Sequence, residues 1–220
     1  MNDFIQEFTF NPFSENTFVV WNGANECVII DPGMSNRYEQ QELVAFLDAN
    51  DLTPVSLINT HCHIDHVLGN AFVFDKWGLK PIMHLDAVQS LLMATRSAEM
   101  FGINYDPSPQ PTAFLNEGEM FALGELQFQV LLVPGHAPGH IALYLESAGV
   151  VFAGDVLFQG SIGRTDLPGC DAKQLVHSIQ EKMYALPDET VVYCGHGPET
   201  TIGHEKKSNP FVRPGFSVLL

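Results

Sequence analysis

The chain has 220 residues and an ordinary hydrophobic fraction of 45%, enough to bury a substantial core. Its formal net charge of −16 repels phosphate backbones and argues against nucleic-acid binding. The sequence has no signal-peptide pattern and no apolar run near the roughly 20 residues of a membrane span, so we expect a cytoplasmic protein without membrane contact. Its four cysteines lack C-x-x-C spacing, which favours free thiols.

The first half of the chain predicts strands and helices in alternation. The predicted strands are residues 4–10, 17–21, 27–30, 55–59 and 81–84, and the first two flank a hairpin turn. The predicted helices are residues 37–50, 67–77 and 86–101, with Asp86 as a candidate N-cap. Residues 104–111 contain three prolines and predict a loop that could border a substrate site.

The second half predicts two further hairpins, a helix and a late strand. The hairpin strands are residues 120–123 with 125–133, and 141–145 with 150–153. The helix is residues 172–186, with Asp171 as a candidate cap, and the last strand is residues 191–194. Without further information this pattern indicates only a mixed α and β fold.

The run His61-Cys62-His63-Ile64-Asp65-His66 concentrates metal-binding groups within six residues. Imidazole nitrogen and carboxylate oxygen are ligands of zinc, iron and manganese, so this density predicts metal-dependent chemistry. On an extended backbone Cys62 would point away from its histidine neighbours, which predicts a packing thiol rather than a ligand.

Three later turns each place a candidate ligand beside glycine, after an apolar segment. These ligands are His136, Asp155 and His196. Because the segment before His61 is also apolar, four predicted strands end in ligand-bearing turns, and we expect one site at the edge of a sheet. His140 lies near His136 but is expected to have a structural role.

In its ordered motifs the chain resembles the metallo-β-lactamase superfamily. H-x-H-x-D-H at residues 61–66 precedes His136, Asp155 and His196, and Asp31-Pro32-Gly33 resembles the first motif of the family. The resemblance implies a four-layer αββα sandwich, an α+β fold, formed as one domain by residues 1–220.

Three segments bring the chain closest to the short bacterial glyoxalase II-like hydrolases: residues 154–158, 163–169 and 203–211. This resemblance implies two divalent metal ions, with zinc preferred and iron or manganese as alternatives. One ion would take His61, His63 and His136. The other would take Asp65, His66 and His196, and Asp155 would bridge the pair.

The resemblance also implies roles near the metals. Asp65 would act mainly as a ligand, and Asp31 would orient Asp65 or a ligand imidazole. Arg164 would contact a substrate carboxylate, although a structural ion pair is nearly as well supported.

The implied reaction is hydrolysis of a thioester such as S-lactoylglutathione by metal-activated water. No helical glutathione-binding domain is expected after the tail, which leaves the thiol carrier open. The main alternative is a persulfide dioxygenase of the same fold that uses one iron. A lactonase and a catalytically silent metal-binding protein are further alternatives, and the sequence does not indicate the oligomeric state.

Overall fold

The structure is a computed structural model that describes residues 3–212. Two six-stranded sheets pack face to face, and helices cover the outer side of each sheet. The predicted four-layer αββα sandwich is therefore confirmed. The prediction of a single domain over residues 1–220 includes positions outside the described residues and stays a prediction.

The first sheet has the strand order β1-β2-β3-β4-β5-β6, with β1 to β3 antiparallel and β3 to β6 parallel. Its strands are Ile5–Phe10, Glu15–Trp21, Glu26–Ile30, Thr53–Ile58, Pro81–Met83 and Ala113–Phe114. The helices α1 to α4 that accompany it are Arg37–Ala49, Ile64–Val67, Asn70–Trp77 and Val88–Phe101.

The second sheet has the order β14-β13-β10-β9-β8-β7. Strands β7 to β10 are Met120–Leu123, Leu126–Leu132, Ile141–Leu145 and Val150–Gly154, and β13 and β14 are Val191–Cys194 and Thr200–Thr201. Strands β11 and β12, Leu157–Phe158 and Ser161–Ile162, form a separate small hairpin. Helices α5 and α6 are Ala172–Ser178 and Ile202–Ser208.

Successive side chains of a strand point to opposite faces of its sheet. Because each sheet is covered on both sides, the inner strands are apolar on both faces. In β2, Phe18 and Val20 point into the core between the sheets, whereas Val19 joins the core beneath α1. On the opposite sheet, Phe152 packs on Phe18 with ring centroids 5.2 Å apart, while Val151 faces α5. The two sheets thus share a central apolar layer.

Three sequence predictions need correction. The helix predicted over residues 67–77 is interrupted, with α2 ending at Val67 and α3 beginning at Asn70. Gly69 N–H donates to Pro32 O at 2.7 Å, and Asp65 O accepts from Asn11 Nδ2 at 3.0 Å. The helical hydrogen bond from Gly69 to Asp65 therefore does not form. Asp86 does not cap α4; its own N–H donates to the His84 ring at 3.2 Å. The helix predicted over residues 172–186 changes to a π-helical turn over Ile179–Met183.

Other expectations agree with the structure. Asp171 caps α5 by accepting from Lys173 N–H and Gln174 N–H, and residues 104–111 are irregular. The four cysteines are free. Within residues 3–212 no helix has the length and apolar character needed to cross a bilayer.

Candidate metal centre

The seven predicted ligands meet at one end of the sandwich, where both sheets contribute loops. His61, His63, Asp65 and His66 follow β4 of the first sheet, and the other three follow β8, β10 and β13 of the second. Backbone hydrogen bonds join the sheets here, from Ile141 N–H to Thr60 O at 2.9 Å and from Asn16 N–H to Gly195 O at 2.7 Å. The site therefore lies at an edge that the two sheets share, rather than on one sheet alone.

Two groups of three predicted ligands have the compactness that a metal ion requires. In each group, one ligand atom per residue lies within 4.8 Å of the others. The first group is His61, His63 and His136, and the second is Asp65, His66 and His196. These are the two sets that the family resemblance implies.

Asp155 lies between the two groups. Its Oδ2 atom is 3.4 Å from His136 Nε2 and 3.5 Å from His196 Nε2, and its Oδ1 atom is 3.4 Å from His66 Nε2. Gly154 places it there, because its φ of +49° turns the chain at the end of β10 and an added Cβ would lie 2.4 Å from Thr60 Oγ1. The carboxylate is therefore in position to bridge two cations.

Unpartnered buried atoms show that these residues fit divalent metals. The Nε2 atoms of His61, His66 and His136, and Oδ1 of Asp155, are buried without a hydrogen-bond partner among residues 3–212. Leaving such atoms unsatisfied costs about 1–3 kcal/mol each. Cations held by the two groups would accept the lone pairs of these atoms and so remove that cost.

Hydrogen bonds at Nδ1 orient two of the predicted ligand histidines, His136 and His196. His136 Nδ1 is 2.8 Å from Arg164 O, and His196 Nδ1 is 3.1 Å from Phe13 O. A carbonyl can only accept, so both Nδ1 atoms carry a proton and Nε2 is the atom of each ring that is left to bind a metal. This tautomer is the one that a metal ligand needs.

Asp31 orients the first sheet's ligands through hydrogen bonds. Its carboxylate accepts from Thr60 N–H at 2.7 Å and from Thr60 Oγ1–H at 2.5 Å, and it lies 3.1 Å from His66 Nδ1. Thr60 Oγ1 in turn is 3.2 Å from His61 Nδ1. Asp31 could also form a metal-sized group with His61 and His66. Since its oxygens are already occupied as acceptors, we regard Asp31 as an orienting residue.

The electrostatics of the two groups differ. In the first group, burial and the neighbouring imidazoles lower the pKa of His61 well below its usual range and that of His63 to about 4. In the second, burial lowers the pKa of His196, but hydrogen bonds with Asp155 and Asp65 outweigh it and raise the value to about 10. Neutral imidazoles are ready to bind a metal, whereas a cation in the second group would displace protons.

Several site residues were not given a role by the sequence. Thr60 links Asp31 to His61, and Asn59 Nδ2 donates to His66 O at 2.9 Å. Glu15 is fully buried 3.8 Å from His66 Nδ1, and burial raises its pKa well above the usual range. Only the position of Thr60 beside His61 could have suggested such a role, because the other contacts arise from the tertiary fold.

The remaining predicted residues have defined surroundings. Arg164 is exposed and bonds Asp166 through two nitrogens, at 2.7 and 2.8 Å, so its guanidinium already has a partner. Cys62 is buried with its Sγ 3.5 Å from Met83 Sδ, as expected of a packing thiol. His140 accepts from Asp155 N–H at 3.1 Å and stacks on His61, which agrees with a structural role.

Relatives of known sequence resemble the chain over most of its length. It is 38% identical to the hydroxyacylglutathione hydrolase GloC of Haemophilus influenzae, over 91% of this chain and 93% of that protein. It is 37% identical to the probable metallo-hydrolase YqgX of Bacillus subtilis, over 88% of this chain and 90% of that protein.

Solved structures share the fold. A TM-score of 0.87 and 34% identity relate the chain to the BLEG-1 B3 metallo-beta-lactamase, with 96% of this chain and all of that chain covered. TTHA1623 in a di-iron-bound form matches with a TM-score of 0.85 and 38% identity, over 94% of this chain and 99% of that chain. ETHE1 from Myxococcus xanthus matches with a TM-score of 0.78 and 26% identity, over 94% of this chain and 84% of that chain.

A family model also covers most of the chain, including the ligand motifs. The model of the metallo-beta-lactamase superfamily matches residues 10–196, which run from the end of β1 to His196. Together with the αββα architecture and the two ligand groups, this match shows that the chain belongs to the metallo-beta-lactamase superfamily.

Proposed function

We propose that this protein hydrolyses thioesters of the S-lactoylglutathione type with two divalent metal ions. The similarity to hydroxyacylglutathione hydrolase GloC carries the proposal, because 38% identity extends over 91% of the chain. The proposed ligands are the seven residues described above, with Asp155 between the two ions. Zinc is the preferred metal, and the di-iron form of TTHA1623 keeps iron as an alternative.

When bound, the ions supply a water of lowered pKa and stabilise negative charge that develops on a carbonyl oxygen. The protein's own residues hold the arrangement fixed. Asp31 and Thr60 orient His66 and His61, and the Arg164 carbonyl orients His136. Because these groups are held before substrate arrives, little reorganisation is needed during the reaction.

The Arg164 side chain is proposed to contact a substrate carboxylate. Its guanidinium is more than half exposed, so a substrate can reach it, but the anion must compete with Asp166. Arg164→Ala should therefore raise KM for an anionic thioester and leave kcat largely unchanged. Asp166→Ala, which frees the guanidinium, should lower KM or leave it unchanged.

The test is elemental analysis of freshly purified protein combined with an S-lactoylglutathione hydrolysis assay. We expect about two metal ions per chain and turnover that is lost on chelation and restored by metal. Two bound ions without thioester turnover would contradict the proposed reaction.

A second candidate is the persulfide dioxygenase reaction, favoured by the structural likeness to ETHE1 from Myxococcus xanthus. It requires a single iron, so the two candidates differ in metal count as well as in substrate. One iron per chain with oxygen consumption on glutathione persulfide would replace the hydrolase proposal.

β-Lactam hydrolysis belongs in the same assay series because of the likeness to the BLEG-1 B3 metallo-beta-lactamase. We expect thioester turnover to exceed β-lactam turnover. A protein that cleaves a chromogenic cephalosporin but no thioester would reverse that assignment, and lactones provide a further comparison substrate.

A further inference from the structure

The β11–β12 hairpin and the residues just after it contact both halves of the candidate metal centre. The Phe158 ring meets His196 edge-on, with centroids 6.2 Å apart and an interplanar angle of 73°. Just after the hairpin, Arg164 O accepts the proton of His136 Nδ1 at 2.8 Å. The position of this hairpin therefore affects one ligand from each metal group.

The backbone after the hairpin packs closely against the ligands. At Gly163 an added Cβ would lie 2.0 Å from Asp155 O and 2.9 Å from His136 Nδ1. The Gly163 N–H also donates to Val156 O at 3.3 Å. Glycine is required here for close approach, so a shift of the hairpin would change its contacts with Asp155 and His136.

Two buried polar residues beyond the last ligand hold the hairpin in place. Glu205 in α6 and Asn209 at its end are both fully buried. Glu205 Oε2 accepts from Gly160 N–H at 3.0 Å, and Asn209 Nδ2 donates to Ser161 O at 2.9 Å. We call this pair the Glu205–Asn209 clasp.

The clasp is internally bonded as well. Asn209 Nδ2 donates to Glu205 Oε2 at 2.8 Å, and Thr200 Oγ1–H donates to Glu205 Oε1 at 2.6 Å. Each of these hydrogen bonds is buried or partly buried, so losing a partner leaves an unsatisfied polar group. The clasp thus links α6 to the hairpin turn through buried hydrogen bonds.

We propose that Glu205 and Asn209 are positioning residues that hold the β11–β12 hairpin in place. Through the hairpin they keep His136 and the Phe158 ring beside His196 in the geometry that binds metal. They act at a distance, because their hydrogen bonds go to the hairpin backbone and not to the ligands. This gives a role to residues 203–211, which the sequence singled out without explaining. Only the catalytic part of this inference rests on the proposed function.

The test compares hydrogen exchange, metal affinity and turnover in Asn209→Ala and wild-type protein. We expect amides of residues 157–163 to exchange about tenfold faster and metal to bind about tenfold more weakly, the lower end of the effect of losing support around a ligand. Saturating metal should restore most of kcat. Unchanged exchange and unchanged metal affinity would overturn the proposal.

Glu205→Gln is the conservative comparison. Its amide oxygen can accept from Gly160 N–H and Asn209, and its amide nitrogen can donate to the Thr200 hydroxyl. We expect it to behave like wild type, whereas Glu205→Ala should resemble Asn209→Ala. If Asn209→Ala does not fold, Asn209→Ser, which keeps a small polar group and adds no second carboxylate beside Glu205, takes its place.

Thr201→Ala controls for general weakening of α6. Thr201 caps this helix by accepting from His204 N–H at 3.2 Å and, among the described residues, makes no hydrogen bond to the hairpin. Equal acceleration of hairpin exchange in Thr201→Ala would reduce the clasp to a stability effect and overturn the proposal. If wild type lacks thioester turnover, the exchange and metal measurements still decide, so the two proposals can fail separately.

Discussion

Three imidazoles present their Nε2 atoms to the Asp155 carboxylate, and the three histidines come from different loops. Burial alone would raise the pKa of this carboxyl group, but His66 and His196 hold it well below the usual range. The group is therefore ionised in the folded protein, as a bridging ligand must be.

Replacing Asp155 with Ala should remove metal and activity together, because its carboxylate lies within 3.5 Å of histidines from both ligand groups. Elemental analysis and thioester hydrolysis measure the two effects. Asp75→Ala, an exposed position on α3, is the matched control and should change neither. An Asp155→Ala protein with two metals and full turnover would disprove the bridging role.

Asp31→Asn tests orientation without disturbing the backbone. The φ of Asp31 is +50°, a left-handed conformation that Asn also tolerates, but the new amide would place a donor where the carboxylate accepts from Thr60 and His66. We expect metal affinity to fall about 10- to 100-fold. Competition with a chelator measures it, and an affinity equal to wild type would show that Asp31 does not orient the ligands.

At the scale of elements, helix α5 supports the loop that carries His136. The backbone N–H of its cap, Asp171, donates to Gly135 O at 2.7 Å, and the Asp171 side chain accepts from Lys173 N–H and Gln174 N–H. The cap therefore stabilises the helix on which the ligand loop packs.

Asp171→Ala should destabilise the protein by about 1 kcal/mol, the usual loss for an N-cap. For a chain of this size that lowers Tm by about 2–4 °C in a thermal melt. Asp171→Asn keeps an acceptor and should retain most of the stability. Because the cap touches no predicted ligand, metal content should stay unchanged in both variants, and a metal loss in Asp171→Ala alone would show that the loop depends on the cap.

At the scale of the whole molecule, the acidic surface and the metal centre have separate consequences. The net charge is −16, and Asp31, Asp65 and Asp155 lie together at one end of the sandwich. Bound cations offset the repulsion among these groups, so the folded state is linked to metal.

Removing metal should lower thermal stability. At a metal concentration about 100 times Kd, binding contributes about 2.7 kcal/mol, which corresponds to about 5–11 °C in Tm for a protein of this size. Calorimetry with and without chelator measures the shift. Asp155→Ala should show almost no shift on adding metal, and an equal response in that variant would place the stabilising ion elsewhere.

Much of this arrangement could be predicted from the sequence because ligand type and chain order are local. His61 to His66, His136, Asp155 and His196 stand in ordered motifs, and each motif follows a largely apolar segment. The αββα architecture followed from the resemblance rather than from periodicity, which indicated only a mixed fold.

Other features depend on contacts that the sequence does not display. The break between α2 and α3 arises because Pro32 O captures Gly69 N–H. Asp86 does not cap α4 because it lies inside a 3₁₀ turn, Leu85–Ala87, that His84 caps. The hairpin β11–β12 was missed because its strands have two residues each and depend on Glu205 and Asn209, far along the chain.

Each of the two proposed ligand groups draws from both sheets: His61 and His63 join His136, while Asp65 and His66 join His196. Two bound ions would therefore act as a pair of cross-links between the halves of the sandwich, closing long loops much as disulfides do in oxidising compartments. A protein whose four cysteines are all free would in this way gain a covalent-like fastening that a chelator can undo without any reductant.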